Sequence, residues 1–172
     1  MGSRNSDSPD ASTIAEIRRI IALPKAWVSH GEMAWVDAGG RPRGFRLRER
    51  LALPDGSRPA GLFVNCYFKP TTIHGASDKL SLSLLVRNRR SFGVDADGPS
   101  THLNSVGIGR PYYLARVDHP QVHTVSDDAI DGYAEPLGPM TLEGYWDHFV
   151  QAVNITGAPP FQLPPQQLGL LA

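Results

Sequence analysis

The sequence predicts an α+β fold: a mainly antiparallel sheet of five or six strands, with an N-terminal and a C-terminal helix packed on it. Two observations carry this. Stretches that alternate apolar and polar residues follow one another at hairpin-length spacing, and helical periodicity appears only near the two ends of the chain. The 172 residues suffice for one domain with a real core.

The first helix is read over "STIAEIRRIIA" (12–22), where Ile14, Ile17, Ile20 and Ile21 share one face. Thr13 and Glu16 fit a capping box, and Pro24 stops the helix. "AWVSHGEMAWVD" (26–37) reads as two short strands around a turn at His30-Gly31. "FRLRERLAL" (45–53) alternates strictly, with Phe45, Leu47, Leu51 and Leu53 on one side and Arg46, Arg48 and Arg50 on the other. Glu49 is the exception on the apolar side. "PDGS" is a turn, and "AGLFVNCYF" (60–68) is apolar on both faces, as a central strand is.

"KLSLSLLVRN" alternates leucines with Ser81 and Ser83, giving another strand with one wet face. Residues 87–109 read as a long segment rich in turn formers. One more strand is expected at about 111–118. "TLEGYWDHFVQAVN" (141–154) is the second helix, with Thr141 as N-cap and Leu142, Trp146, Phe149 and Val153 as its apolar stripe. The domain organisation expected is a disordered leader at 1–11, one α+β domain at 12–157, and a proline-rich tail at 158–172. In that tail Leu168, Leu170 and Leu171 could pack on a second copy, which would make a homo-oligomer, or on their own domain.

Composition excludes several classes. No apolar run approaches the ~20 residues of a membrane helix. The polar start has no signal-peptide core. Cys66 is the single cysteine, so there is no internal disulfide and no cysteine-based zinc site. A reducing, cytoplasmic setting is expected. Net charge is zero, but residues 1–90 hold fifteen Lys/Arg against eight Asp/Glu, and residues 91–172 hold two against nine. The halves either neutralise each other across one fold or leave a basic face for a nucleic acid or an acidic protein.

The candidate chemistry lies in "HPQVHT" (119–124). A helix through His119-Pro120 is disfavoured, because a residue before proline avoids the α region. In an extended chain the two histidines face one side, with Cα atoms about 13 Å apart, too far for one metal ion unless the chain turns tightly at Pro120-Gln121. No metal and no cofactor is therefore expected. Asp95, Asp97 and Gly98 match only the opening of a calcium loop; a loop of Asx turns explains them and His102 as well. Cys66 sits in an apolar strand, as a core residue does. There is no Gly-x-Ser-x-Gly elbow and no phosphate-binding glycine loop.

Residues 95–155 resemble a family of functionally uncharacterised prokaryotic proteins found on mobile elements. The resemblance rests on "THLN" (101–104), "GRPYYL" (109–114), "YAEPLG" and the helix ending "FVQAVNI" (149–155). "GRPYYL" stands where the family has a strand with two histidines, and this chain lacks both. The resemblance implies a mobile-element or defence setting and no mechanism.

Two functions are expected. The first is a non-catalytic binding protein that meets a protein or nucleic-acid partner through Arg46, Arg48, Arg50, Arg87, Arg89 and Arg90. The alternative is a small metal-independent ribonuclease-like enzyme or toxin. It would use His119 or His123 as acid and base, with Tyr112 and an arginine to hold the phosphate.

Overall fold

The structure, a computed structural model, describes residues 9–98 and 101–165. It is α+β, with two helices, a nine-stranded, mostly antiparallel sheet and a separate two-stranded ribbon. The strands outnumber the five or six expected. The leader up to residue 8 and Leu168, Leu170 and Leu171 of the tail lie outside the described residues.

Helix α1 spans Ala11–Ala22 and is capped by Asp10, whose carboxylate accepts from the Thr13 backbone N–H at 2.7 Å. The cap is thus three residues earlier than the Thr13–Glu16 box, and Glu16 pairs instead with Arg87. At the other end, the buried Lys25 Nζ donates to the carbonyls of Ile20, Ile21 and Leu23 at 2.6–2.8 Å. It satisfies the acceptors that a helix C-terminus leaves open.

Strands β1 (Lys25–Trp27) and β2 (Val36–Gly39) do not pair with each other. Both pair with the long β3 (Gly44–Ala52), one at each end. Glu49, the odd residue of β3, accepts from the Ser29 backbone N–H and hydroxyl, both at 2.8 Å. Strands β4 (Phe63–Lys69) and β5 (Lys79–Val86) follow as antiparallel neighbours. A tight turn at Arg87-Asn88, both at positive φ, then leads into β6 (Arg89–Asp95). This strand lies inside the segment expected to be loop.

Beyond β6 the chain forms the ribbon β7 (His102–Leu103) with β8 (Arg116–Val117), then β9 (Gln121–Thr124) and β10 (Tyr133–Pro136). Residues 111–114, expected in a strand, form turns instead, with Leu114 at positive φ. Helix α2 (Leu142–Ala152) is capped by Thr141, and β11 (Ile155–Thr156) runs parallel to β1. The sheet order is β10-β9-β6-β5-β4-β3-β1-β11, with β2 beside β3.

One face of the sheet is apolar. Leu47, Val64, Cys66, Leu80, Leu82, Leu84, Phe92 and Val94 share a single core with Ile14, Ile17 and Ile20 of α1 and Tyr145, Trp146 and Phe149 of α2. Trp146 also donates its indole N–H to the Pro159 carbonyl, and the Phe161 ring lies 6.5 Å from those of Trp35 and Trp146. The first residues of the tail are therefore attached to this core.

The segment 101–117 is held to the edge strand β10 by several side chains, among them Arg110, which pairs with Glu135, and Asn104. Asn104, fully buried, accepts from the Ala134 N–H at 2.7 Å and donates to the Ala134 carbonyl at 2.8 Å. It also donates to the Tyr112 carbonyl. Asn104→Ala leaves two backbone groups of β10 without partners. We expect a loss of about 2–4 kcal/mol from chemical denaturation; a loss below about 0.5 kcal/mol would show that the clamp is not needed.

Candidate functional site

The face of the sheet turned away from the helices is polar, and its chemistry concentrates where β5, β6 and β9 lie side by side. Register sets this. Ser81 opposes Asp95, and Asp95 opposes Gln121; Ser83 opposes Gly93, and Gly93 opposes His123. Residues directly opposite in an antiparallel pair point to the same face. Ser81, Asp95, Gln121 and His123 are thus brought together by pairing alone. The ribbon adds His102, and the segment before β9 adds His119, which is joined to Pro120 by a cis peptide bond.

These side chains, with Lys79, Arg90, Asp97 and Thr101, line a cleft of about 330 Å³. A second compartment of about 420 Å³ adjoins it across His119 and Asp97, with Pro120, Pro139, Met140 and Leu142 among its walls.

Asp95 organises the cleft. One carboxylate oxygen accepts from the Ser81 hydroxyl at 2.6 Å. The other accepts from Arg90 Nη2 at 3.0 Å and from His123 Nε2 at 3.1 Å. Burial alone would raise the Asp95 pKa. The His123 hydrogen bond, the charge of Arg90 and the Ser81 hydroxyl outweigh burial and hold the carboxyl well below its usual range. Arg90 reaches Asp95 by lying over Gly93, where a Cβ would come within 2.1 Å of the guanidinium.

The three rings differ in access. His123 is nearly closed off, at 5% exposure, while His102 and His119 are half-buried. A carboxylate only accepts, so His123 carries its proton on Nε2. His102 Nε2 lies 2.7 Å from the Gly132 carbonyl, which likewise only accepts. That contact places the His102 proton on Nε2 and leaves Nδ1 as an acceptor. The His102 and His123 rings meet edge to face, with centroids 4.9 Å apart. The end of the Gln121 amide lies 3.4 Å from His119 Nε2 and 3.1 Å from His123 Nε2, and since His123 Nε2 carries a proton, the amide oxygen is the atom that can accept there. One side chain thus spans the gap between the two rings of "HPQVH".

Two buried polar atoms, Arg90 Nε and His123 Nδ1, have no partner among the described residues. Buried polar groups are as a rule hydrogen-bonded, so a cleft that gathers both is suited to a polar ligand. Among the described residues no group of three or more His, Cys, Asp or Glu is disposed to hold a metal ion. Asp97, of the calcium-like stretch, accepts from the Gly98 N–H.

The sequence-selected residues separate into two sets. His119, His123 and Arg90 meet in the cleft. Tyr112 lies on the 109–114 turn and does not line it. Arg87 pairs with Glu16 across the surface, and Arg89 is exposed at the start of β6. Arg46, Arg48 and Arg50 lie exposed on β3, on the same face as the cleft. Ser81, Lys79 and Gln121 join the site through strand register, and the i, i+2 spacing of Gln121 and His123 is the signature of two side chains on one strand face. Cys66 is fully buried and burial pushes its thiol pKa up, so it offers no thiolate.

No family model, no curated protein and no solved structure matches this chain. Among the described residues no helix is long and apolar enough to cross a membrane.

The Asp95 network makes stability depend on pH. The carboxyl pKa is depressed on folding, so its contribution is complete above the unfolded value of about 4 and is lost as pH falls from there towards the lower folded value. Wild-type unfolding free energy should fall as pH drops below about 4. Asp95→Asn should cost about 1–3 kcal/mol at pH 7 and flatten that part of the profile. An unchanged acid limb in the variant would remove Asp95 as its source.

Proposed function

We propose that this chain is a metal-independent ribonuclease working by general acid–base catalysis, with the cleft of His102, His119 and His123 as its active site. The observation that carries the reading is the convergence of three imidazoles with Arg90 and Lys79 in one polar cleft. RNA is the substrate that best fits a site without a nucleophile of its own. Ser81 Oγ is bonded to Asp95 rather than to a histidine, and Cys66 is sealed in the core. The 2′-hydroxyl of RNA supplies the nucleophile from the substrate.

In this reading His102, with a free lone pair on Nδ1, takes the proton from the 2′-hydroxyl. The 2′-oxygen attacks phosphorus, the bond to the 5′-oxygen breaks, and His119 returns a proton to that leaving oxygen. The products are a 2′,3′-cyclic phosphate and a free 5′-hydroxyl. Arg90 and Lys79 stabilise the charge on the phosphate oxygens. His123, fixed by Asp95, holds the His102 ring in place from behind and acts as a positioning residue. Tyr112 has no part in this scheme.

A second reading rests on a different observation. Arg46, Arg48 and Arg50 stand outside the cleft and form none of the ion pairs found among the described residues. A binding protein that meets its partner through these arginines, without chemistry, uses the same face. The mobile-element or defence setting implied by the resemblance suits either reading.

Labelled RNA and DNA incubated with the protein, with and without EDTA, test the first reading. RNA should be cut to cyclic-phosphate ends in both conditions and DNA left intact. His119→Ala and His102→Ala should each slow cleavage by about 10²–10⁴-fold. Cleavage abolished by EDTA, equal cleavage of DNA, or no cleavage at all would each defeat it.

A further inference from the structure

The cleft does not end at β5. The cross-strand register that builds it continues to β3 on the same face. One row runs Arg46, Tyr67, Ser81, Asp95, Gln121, and the next runs Arg48, Asn65, Ser83, Gly93, His123. Lys69 opposes Lys79 at the neighbouring level. With strands about 4.8 Å apart, Arg46 stands about 10 Å from Ser81 at the cleft wall, and the rows span about 19 Å from β3 to β9.

The charge on this face has one sign from β3 up to the cleft wall. Arg46, Arg48, Arg50, Lys69 and Lys79 point from it, and no acidic residue of β3, β4 or β5 shares their face: Glu49, the only one in these strands, is turned the other way to Ser29. Within the cleft, Asp95 is matched by Arg90, and the Asp97 carboxylate accepts from the Gly98 N–H. Tyr67 offers a half-buried ring between the arginines and the cleft, with the Lys79 ammonium 6.0 Å from its centre. Arg48 is laid over the Phe63 ring at 3.7 Å, which orders its guanidinium on the surface.

We propose that this face is a binding track for single-stranded RNA, which leads the strand across β3, β4 and β5 into the cleft. The proposal rests on the ribonuclease reading for the fate of the substrate. It adds the substrate's form, its path and the length of strand that fills that path. Cations that follow a phosphate chain, with an aromatic ring for a base to stack on, are the elements of single-strand recognition. A span of about 19 Å calls for several nucleotides, so a dinucleotide occupies the cleft alone.

Two measurements on the full chain test this. In the first, a fluorescent twelve-nucleotide single strand is titrated into the His119→Ala protein, which keeps the track and cuts about 10²–10⁴-fold more slowly. The variant with Arg46→Gln, Arg48→Gln and Arg50→Gln added should bind about ten- to a hundred-fold more weakly. Its plot of log affinity against log salt should be shallower by about 2, the value for three lost phosphate contacts on a single strand. An Arg48→Lys variant, which keeps the charge, should stay near the parent and serves as the control for folding.

In the second, the three glutamines are placed in the otherwise wild-type chain. Cleavage of a dinucleotide should be unchanged, while KM for the twelve-mer rises. Equal affinity with and without the arginines, or tighter binding of duplex than of single strand, overturns the track. If the wild type cuts nothing but the arginine variant still loses the single strand, the track stands and the ribonuclease reading falls.

Discussion

Everything in this molecule depends on the two-residue period of its strands. One set of side chains along β4, β5 and β6 is apolar and belongs to the core that the helices share. The alternate set is therefore committed to the other face, whatever its chemistry. Ser81, Asp95 and His123 are neighbours because each occupies an alternate position of a strand whose other positions are in the core. A slip of one residue in β9 would send Val122 into the cleft and His123 towards the core. The cleft and the core are thus specified by the same register, and neither can be altered alone.

Within that frame Asp95 sets the character of the site. A carboxylate with a hydroxyl, a guanidinium and an imidazole around it is fully engaged, and so is unsuited to serve as a proton carrier itself. Its effect is exerted through others. It fixes the proton of His123 on Nε2, and His123 in turn packs against His102. Gly93 contributes by what it lacks, since the guanidinium that neutralises Asp95 lies where a side chain would be. The working groups of the cleft are backed by a rigid layer that does not itself need to reach a substrate.

Much of the fold was legible from the sequence because strong periodicity marks its centre. The helices, β3, β4 and β5 lie close to where the patterns of isoleucine, arginine and serine put them. The second half was harder. "RRSFGVD" forms β6, but two arginines and a glycine hide the alternation of Phe92 and Val94, and the turn before it uses Arg87-Asn88 rather than a glycine pair. "GRPYYL" has the aromatic content of a strand, yet Asn104 and the backbone around Leu114 hold it as turns. The site was half legible for the same reason. His119, His123 and Arg90 could be named as residue types suited to acid–base work. Asp95 and His102 looked like loop residues, because their importance comes from pairings across thirty residues that no local pattern encodes.

The Asn104 clamp has a consequence beyond holding its own loop. Strand β10 ends the sheet, and an end strand offers unpaired backbone groups to any extended chain that passes. Asn104 fills the hydrogen-bonding positions of Ala134 with a side-chain amide, and at the opposite end β11 has only two residues. The nine-stranded sheet thus finishes with one edge capped at Ala134 and, on the other side, with the short edge strands β11 and β2, two and four residues long, two of the ways in which β proteins avoid adding strands from other molecules and aggregating.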